Sequence, residues 1–120
     1  MGIRNISEDV ILVKLPSESP KISEQLKAVN EIVTSKSACD VVVDFSRVEI
    51  INSANISNLL ILRSLLQDSG RQLILCNVTT VTKCIFVVAG LSEVFVFVDD
   101  QSAALAAVQN PNSPSSTLSQ

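Results

Sequence analysis

Apolar and polar residues follow one another along this chain in blocks that predict a regular succession of strands and helices. Four short apolar runs have the length and the β-branched content that are typical of strands. The predicted strands span residues 10–15, 41–45, 71–76 and 94–98. The second and third runs are apolar enough to be buried on both faces of a sheet. The polar residues 1–8 are interpreted as a lead-in before the first strand.

The segments between these strands repeat apolar residues at helical spacing. Ser19 followed by Pro20 is typical of a helix start, with Ser as the N-cap and Pro at the first helical position. Gly70 and Gly90 suit the left-handed residue that often follows the end of a helix. Asp99 or Asp100 can cap the last helix, in which Ala104, Leu105 and Val108 are expected to point inward. The predicted helices span residues 19–35, 53–68, 79–89 and 102–109.

The third predicted helix is the least certain from pattern, because residues 84–88 alone would also suit a strand. A helix is favoured because Thr79 or Thr80 can cap it and Gly90 can end it. In addition, three apolar residues of the segment share one helical face. They are Val81, Ile85 and Val88.

The alternation of strands and helices predicts an α/β fold with a mostly parallel sheet. In such sheets the functional loops gather at the carboxyl ends of the strands. The loop between residues 45 and 52 lies at one of these ends and leads directly into Ser53. Ser53 can be read simply as a helix cap that stabilises by about 1 kcal/mol, and Asn52 would serve as well.

Length and composition indicate one domain, expected over residues 1–109, because 120 residues with 47% apolar content can bury a core. The Pro- and Ser-containing residues 110–120 are expected to be a disordered tail. The net charge of −3 without a basic cluster argues against nucleic acid. Neither a membrane span nor a signal peptide is predicted, and the odd number of cysteines favours reduced thiols in the cytoplasm.

The residue types leave little catalytic chemistry. Histidine is absent, which excludes Ser-His and Cys-His nucleophile pairs and His-ligated metals. Cys39, Cys76 and Cys84 lack metal-binding spacing, and Asp99 with Asp100 lacks a third ligand. No catalytic residue, metal or cofactor is therefore predicted, and the chain is not expected to be an enzyme. Whether a nucleotide binds is left open.

The run DFSRVEIINSANISNLL, from Asp44 to Leu60, resembles the signature of STAS domains, the family of anti-sigma factor antagonists. A second segment, residues 89–95, is similar to the Gly-Leu-x-x-Val-Phe pattern before that family's last strand. The resemblance extends over about residues 9 to 108 and implies a STAS-like mixed, mostly parallel sheet of four to five strands with about four helices. The positions that match in register are Asp44, Phe45, Ser46, Val48, Ile51, Ser53, Ile56 and Leu59.

The resemblance also implies a function. In that bacterial family the serine at the position of Ser53 is phosphorylated by a kinase that is also the anti-sigma factor, and phosphorylation abolishes binding. This chain would then be a cytoplasmic phosphoprotein of signal transduction and transcription regulation, binding a serine kinase or another signalling protein. Its oligomeric state is left open, with a dimer among the options. The expected partner-binding residues are Asp44, Ser46, Asn52, Ser53, Ala54, Asn55 and Asn58.

The chain departs from the family pattern at Asn52, Ala54 and Asn55, where the family has Asp, Ser and Gly. Asn55 is expected to adopt a left-handed conformation if one is needed, and to add bulk where a partner approaches. Asn52 favours an alternative, a constitutive STAS adaptor in a signalling or lipid-transport complex that is not phosphorylated. The family also has a short strand before its first helix. Only residues 16–19 are available here, so a smaller or differently paired sheet is expected.

Overall fold

The computed structural model describes residues 2–35 and 39–109, and these form an α/β fold. The strands are β1 (Ile3–Ser7), β2 (Val10–Lys14), β3 (Asp40–Asp44), β4 (Leu73–Cys76) and β5 (Val96–Val98). The helices are α1 (Ser19–Ser35), α2 (Ser53–Asp68), α3 (Thr80–Val88) and α4 (Gln101–Gln109). The strands form one mixed sheet in the order β1-β2-β3-β4-β5, so the predicted fold class is confirmed. The tail predicted over 110–120 lies outside the described residues.

The first strand corrects two expectations. Residues 3–7 are not a lead-in but an edge strand, which pairs antiparallel with β2 from Ile3 opposite Val13 to Ser7 opposite Val10. The sheet is therefore not smaller than the family pattern, because the additional strand precedes β2 instead of following it. The sequence of β1 is mostly polar, and of its residues Ile3 and Ile6 pack against the core. Pairing with β2, and not its own apolar content, makes this segment a strand.

The parallel part of the sheet carries the core on both faces. Strands β2 to β5 pair in parallel with one another, and every residue of β3 is buried. Val41 and Val43 pack in the larger cluster with the apolar sides of α1, α2 and α3, whereas Val42 packs on the other face against α4. This alternation follows from the two-residue period of a strand. It explains why the centre of β3, residues 41–43, is a continuous apolar run.

The predicted helix ends are confirmed to within one residue. Gly70 and Gly90 have φ angles of 71° and 76°, and the next residues, Arg71 and Leu91, donate back to carbonyls of the last turns. Asp100 caps α4 by accepting a hydrogen bond from the Ala103 N–H at 2.9 Å. Helix α1 begins at Ser19 itself, because the carbonyl of Glu18 accepts the first helical hydrogen bond. Pro20 is thus the second helical residue.

Helix α3 is confirmed, with Thr79 as its N-cap, but its inward face differs from the prediction. Thr82 and Phe86 are the buried residues, and Phe86 packs edge-on against Phe95 and Phe97 at 5.4 and 5.3 Å between ring centroids. Of the three residues predicted to share a face, Ile85 packs against the core, whereas Val81 and Val88 point to solvent. Aromatic packing decided the rotation of this helix, because Phe86 offers more apolar area than a valine. None of the helices in the described part is long and apolar enough to cross a membrane.

Candidate functional site

Ser53 is the first residue of α2 and lies at the carboxyl end of β3, after the loop of residues 45–52. This loop is anchored by Phe45, Val48 and Ile51, which are buried in the larger core cluster. Between them the loop exposes Ser46 and Ile50, and Ser53 is also exposed. The alternation of anchored and exposed positions therefore brings a short segment of backbone to the surface in a defined path.

The N-cap of α2 is Asn52, which corrects the expectation that Ser53 caps the helix. The Asn52 side chain accepts a hydrogen bond from the Asn55 N–H at 2.9 Å, and Asn55 Oδ1 accepts one from the Asn52 N–H at 3.1 Å. These reciprocal bonds form a capping box and satisfy backbone donors that the helix itself cannot satisfy. The hydroxyl of Ser53 is therefore not used by the cap.

The sequence suggested that Asn55 could adopt a left-handed conformation and add bulk at the surface. Both expectations are wrong, because Asn55 is fully buried and helical. Its Nδ2 donates to Ser23 Oγ at 2.8 Å and to the Ser19 carbonyl at 3.3 Å, both on α1. Among the described residues, the non-glycine residue with a positive φ is Asn77, at 56°. The bulk of Asn55 is thus accommodated between two helices.

Asn58 is also turned inward and is 8% exposed. Its Nδ2 donates to the Ala54 carbonyl at 3.0 Å, and its backbone carbonyl accepts from Asn30 Nδ2 at 3.4 Å. Neither Asn55 nor Asn58 presents its side chain for direct contact in this conformation. A role for these two residues in partner binding would have to act through the position of α2.

Asp44 is the residue that joins the loops at this end of the sheet. It is 3% exposed, and its carboxylate accepts hydrogen bonds from the Ser46 N–H at 2.8 Å, Asn77 Nδ2 at 3.0 Å and Gln101 Nε2 at 3.0 Å. Burial alone would raise the pKa of Asp44, but the hydrogen bonds from Asn77, the Ser46 backbone and Gln101 outweigh it and lower the pKa. An ionised carboxylate therefore ties the loops after β3 and β4 to the start of α4 from inside.

Sequence analysis missed Asn77 and Gln101. Both follow the carboxyl ends of strands, β4 and β5, in the same way that Ser46 follows β3. Parallel strands bring these ends to one edge, so the order of the strands carried a signal for proximity. No local pattern indicated that either amide would face Asp44.

A further contact joins the loop to α3. Thr82, which is fully buried, donates from Oγ1 to the Glu49 carbonyl at 3.2 Å. The next loop residue, Ile50, is 57% exposed, and α3 turns an apolar face to solvent on which Val88 is 88% exposed. We call Ser46, Ile50, Asn52, Ser53 and Ala54 the Ser53 surface, and they are all exposed. The apolar face of α3 comprises Val81, Cys84, Val87 and Val88.

The described residues bring no group of three or more potential metal ligands together. Burial, together with the nearby carboxylates of Asp44 and Asp100, raises the pKa of the Cys76 thiol to about 12. That thiol is therefore neutral and unreactive at ordinary pH. The chemistry available at the carboxyl edge of the sheet is an exposed hydroxyl at a helix start, three residues after the exposed Ile50.

Comparison with known proteins identifies the family and the fold. A sequence model described as the STAS domain matches residues 6–104. The comparison with curated protein sequences gave no match.

Solved structures with the same fold share little sequence with this chain. An anti-sigma-factor antagonist (STAS) domain protein from Planctomyces limnophilus is 18% identical with a TM-score of 0.77, covering 89% of this chain and 97% of that one. A sulfate transporter family protein from Wolinella succinogenes is 18% identical with a TM-score of 0.73, covering 88% and 89%. The phosphorylated form of the Bacillus cell fate determinant SpoIIAA is 16% identical with a TM-score of 0.66, covering 88% and 96%.

Proposed function

Because the chain belongs to the STAS domain family, we propose that it is a non-enzymatic regulatory domain of the anti-sigma factor antagonist type. In this proposal it binds a serine kinase that also acts as an anti-sigma factor, in the bacterial cytoplasm, and phosphorylation of Ser53 switches the binding off. The resemblance of residues 44–60 to the antagonist signature supports this function. A structural neighbour known in a phosphorylated form, SpoIIAA, supports the mode of regulation.

The observation that carries the proposal is that Asn52, and not Ser53, caps α2. Ser53 is exposed, and its hydroxyl is not needed for the cap. A kinase could modify it without removing the cap of α2. The hydrogen bonds that begin α2 run between Asn52 and Asn55 and do not involve the oxygen that would be modified.

The surroundings of Ser53 also suit a phosphate. The first turn of α2 contains no acidic residue, and the N-terminus of a helix stabilises a negative charge. The phosphate would add about −1.5 to −2 charges to the Ser53 surface. Phosphorylation should therefore leave the domain folded and change only the charge and shape that a partner meets. Asn52, in place of an aspartate, avoids placing a second negative charge beside the phosphate.

The binding surface in this proposal extends beyond the serine. Exposed Ile50 and the apolar face of α3 offer side chains that a partner can bury, and Thr82 holds the loop and α3 together. Apolar groups beside a modifiable hydroxyl give affinity and regulation at one place. A partner that buries Ile50 would approach closely enough for a phosphate on Ser53 to exclude it by charge and bulk.

The test begins with phosphorylation. The purified protein is incubated with ATP and a soluble extract of its own cells, and phosphate is located by mass spectrometry. We expect phosphate on Ser53 in the wild type and none at that site in Ser53→Ala. Ser57→Ala is the matched control, because Ser57 is exposed on the same helix one turn further on. Phosphate elsewhere, or none at all, would refute the switch.

The second arm tests the partner. Immobilised wild type, Ser53→Ala and Ser53→Asp are compared for retention of a kinase from the same extract. The proposal expects retention by the first two and its loss with Ser53→Asp. Equal retention by all three would instead support the constitutive adaptor, the alternative suggested by Asn52.

A further inference from the structure

The side-chain amide of Asn55 uses all of its hydrogen-bonding groups within the protein. Its oxygen accepts from the Asn52 N–H at 3.1 Å, and its Nδ2 donates to Ser23 Oγ at 2.8 Å and to the Ser19 carbonyl at 3.3 Å. One small side chain thus links the cap of α2 to the first two turns of α1. We call this set of contacts the Asn55 bridge.

A buried polar group at a helix–helix contact has consequences that an apolar residue would not have. An amide that is buried without partners costs free energy, whereas one with all partners satisfied costs little. Apolar packing is non-directional, but these hydrogen bonds are satisfied only at one distance and orientation. The bridge therefore specifies where the start of α2 lies relative to α1, which apolar contacts alone would leave less defined.

Ser53 is two residues before Asn55, within the same capped turn. The backbone between them is held at both ends, by Asn52 at the cap and by Asn55 against α1. The position of Ser53 is consequently coupled to α1, although the Ser53 side chain is not one of the bridging groups. The departure from glycine at position 55 supplies this coupling, because glycine has no side chain that could make it.

We propose that Asn55 is a positioning residue, which fixes the first turn of α2 against α1 and thereby holds Ser53 in the place from which it is presented. The importance of Ser53 rests on the proposed function, whereas the bridge itself does not. Ser23 is the specific partner in this arrangement, because its hydroxyl makes the shorter of the two contacts from Asn55 Nδ2.

Two roles of Asn55 must be separated, since it is also part of the capping box. Asn55→Ala removes both the box oxygen and the bridge. Ser23→Ala removes only the side-chain acceptor on α1 and leaves the reciprocal bonds between Asn52 and Asn55 intact. Ser23→Thr restores a hydroxyl at the same position and is the conservative rescue variant.

Residue-resolved hydrogen exchange of the full chain by NMR tests the bridge. The reporters are the amides of Asn55 and Ile56, which bond to the side chain and the carbonyl of Asn52. We expect them to exchange about tenfold faster in Ser23→Ala and to return to the wild-type rate in Ser23→Thr. The amides of Val42 and Val43 in the central strand report global stability. Their exchange rates should change only as much as the equilibrium constant for global unfolding changes.

The exchange pattern decides between positioning and general stabilisation. If Asn55 and Ile56 accelerate only as much as Val42 and Val43, or not at all, the bridge does not position the turn and the proposal fails. Asn55→Ala should show the same local acceleration with a larger global loss, because it also breaks the capping box. An acceleration in Ser23→Ala that Ser23→Thr does not reverse would assign the effect to packing and also refute the proposal.

Phosphorylation provides the functional arm. If the extract modifies Ser53 in the wild type, Ser23→Ala should lower the rate of incorporation several-fold and Ser23→Thr should restore it. Equal rates would overturn the presentation of Ser53 by the bridge. A wild type that is never modified would refute the proposed function, and the exchange experiment would still decide whether the bridge exists.

Discussion

Asp44→Asn is the substitution that most directly tests how the carboxyl edge of the sheet is held together. The two side chains have nearly the same shape, so the change removes a charge without opening a cavity. The oxygen that remains can keep the bonds from the Ser46 N–H and Asn77, while Gln101 must rotate its amide to accept from the new NH₂ group. The stability lost in Asp44→Asn therefore comes from weaker hydrogen bonds to an uncharged group and not from poorer packing.

The magnitude follows from the contacts. Hydrogen bonds to a charged group contribute about 1.5–3 kcal/mol each, against about 0.5–1.5 for neutral ones, and part of the difference offsets the cost of burying the charge. With three such bonds at Asp44, we expect Asp44→Asn to lower the free energy of unfolding at pH 7 by about 2 kcal/mol. Asp68→Asn, at the exposed end of α2, is the control and should stay within about 0.5 kcal/mol.

The pH dependence distinguishes charge from shape. The pKa of Asp44 is lowered in the folded state, so its contribution is present above the unfolded pKa of about 3.9 and is lost as the pH falls through the folded pKa. The gap between wild type and Asp44→Asn should therefore be full at pH 7 and narrow at acidic pH. Urea unfolding, followed by circular dichroism at several pH values, measures it. An equal gap at acidic and neutral pH, or no gap at pH 7, would refute the reasoning.

Three further experiments have defined outcomes. Asn52→Ala should cost about 1 kcal/mol in urea unfolding, because it removes the cap, whereas Ser53→Ala should change stability by less than about 0.5 kcal/mol; the reverse order would mean that Ser53 is the cap. Gly90→Ala should cost about 1–2 kcal/mol through its positive φ alone, since a Cβ there meets no atom within 4 Å, and an unchanged melting curve would contradict the assigned backbone. In thiol titration of the native protein at pH 8, exposed Cys84 should react first and buried Cys76 only after unfolding; early reaction of Cys76 would show that its site opens.

Much of the candidate site was predictable because its signals are local. The strand–loop–helix order placed Ser53 at the carboxyl edge of the sheet, and the run from Asp44 to Leu60 indicated the family. The choice between Asn52 and Ser53 as the cap was not predictable. Both residue types cap helices well, and only the backbone path shows which side chain reaches the N–H of Asn55.

The sequence by itself determined the succession of elements after residue 9, the helix ends at Gly70 and Gly90, and the place of the serine. These follow from hydrophobic periodicity and from backbone preferences, which act over a few residues. Tertiary structure decided what depends on neighbours distant in the chain. It made a strand of residues 3–7, turned Phe86 of α3 inward in place of Val81, gathered Asn77 and Gln101 around Asp44, and buried Asn55 between two helices. The physical reason is the same in each case: a polar or ambiguous side chain takes the environment in which its hydrogen bonds or its apolar area are best satisfied, and that environment is assembled only on folding.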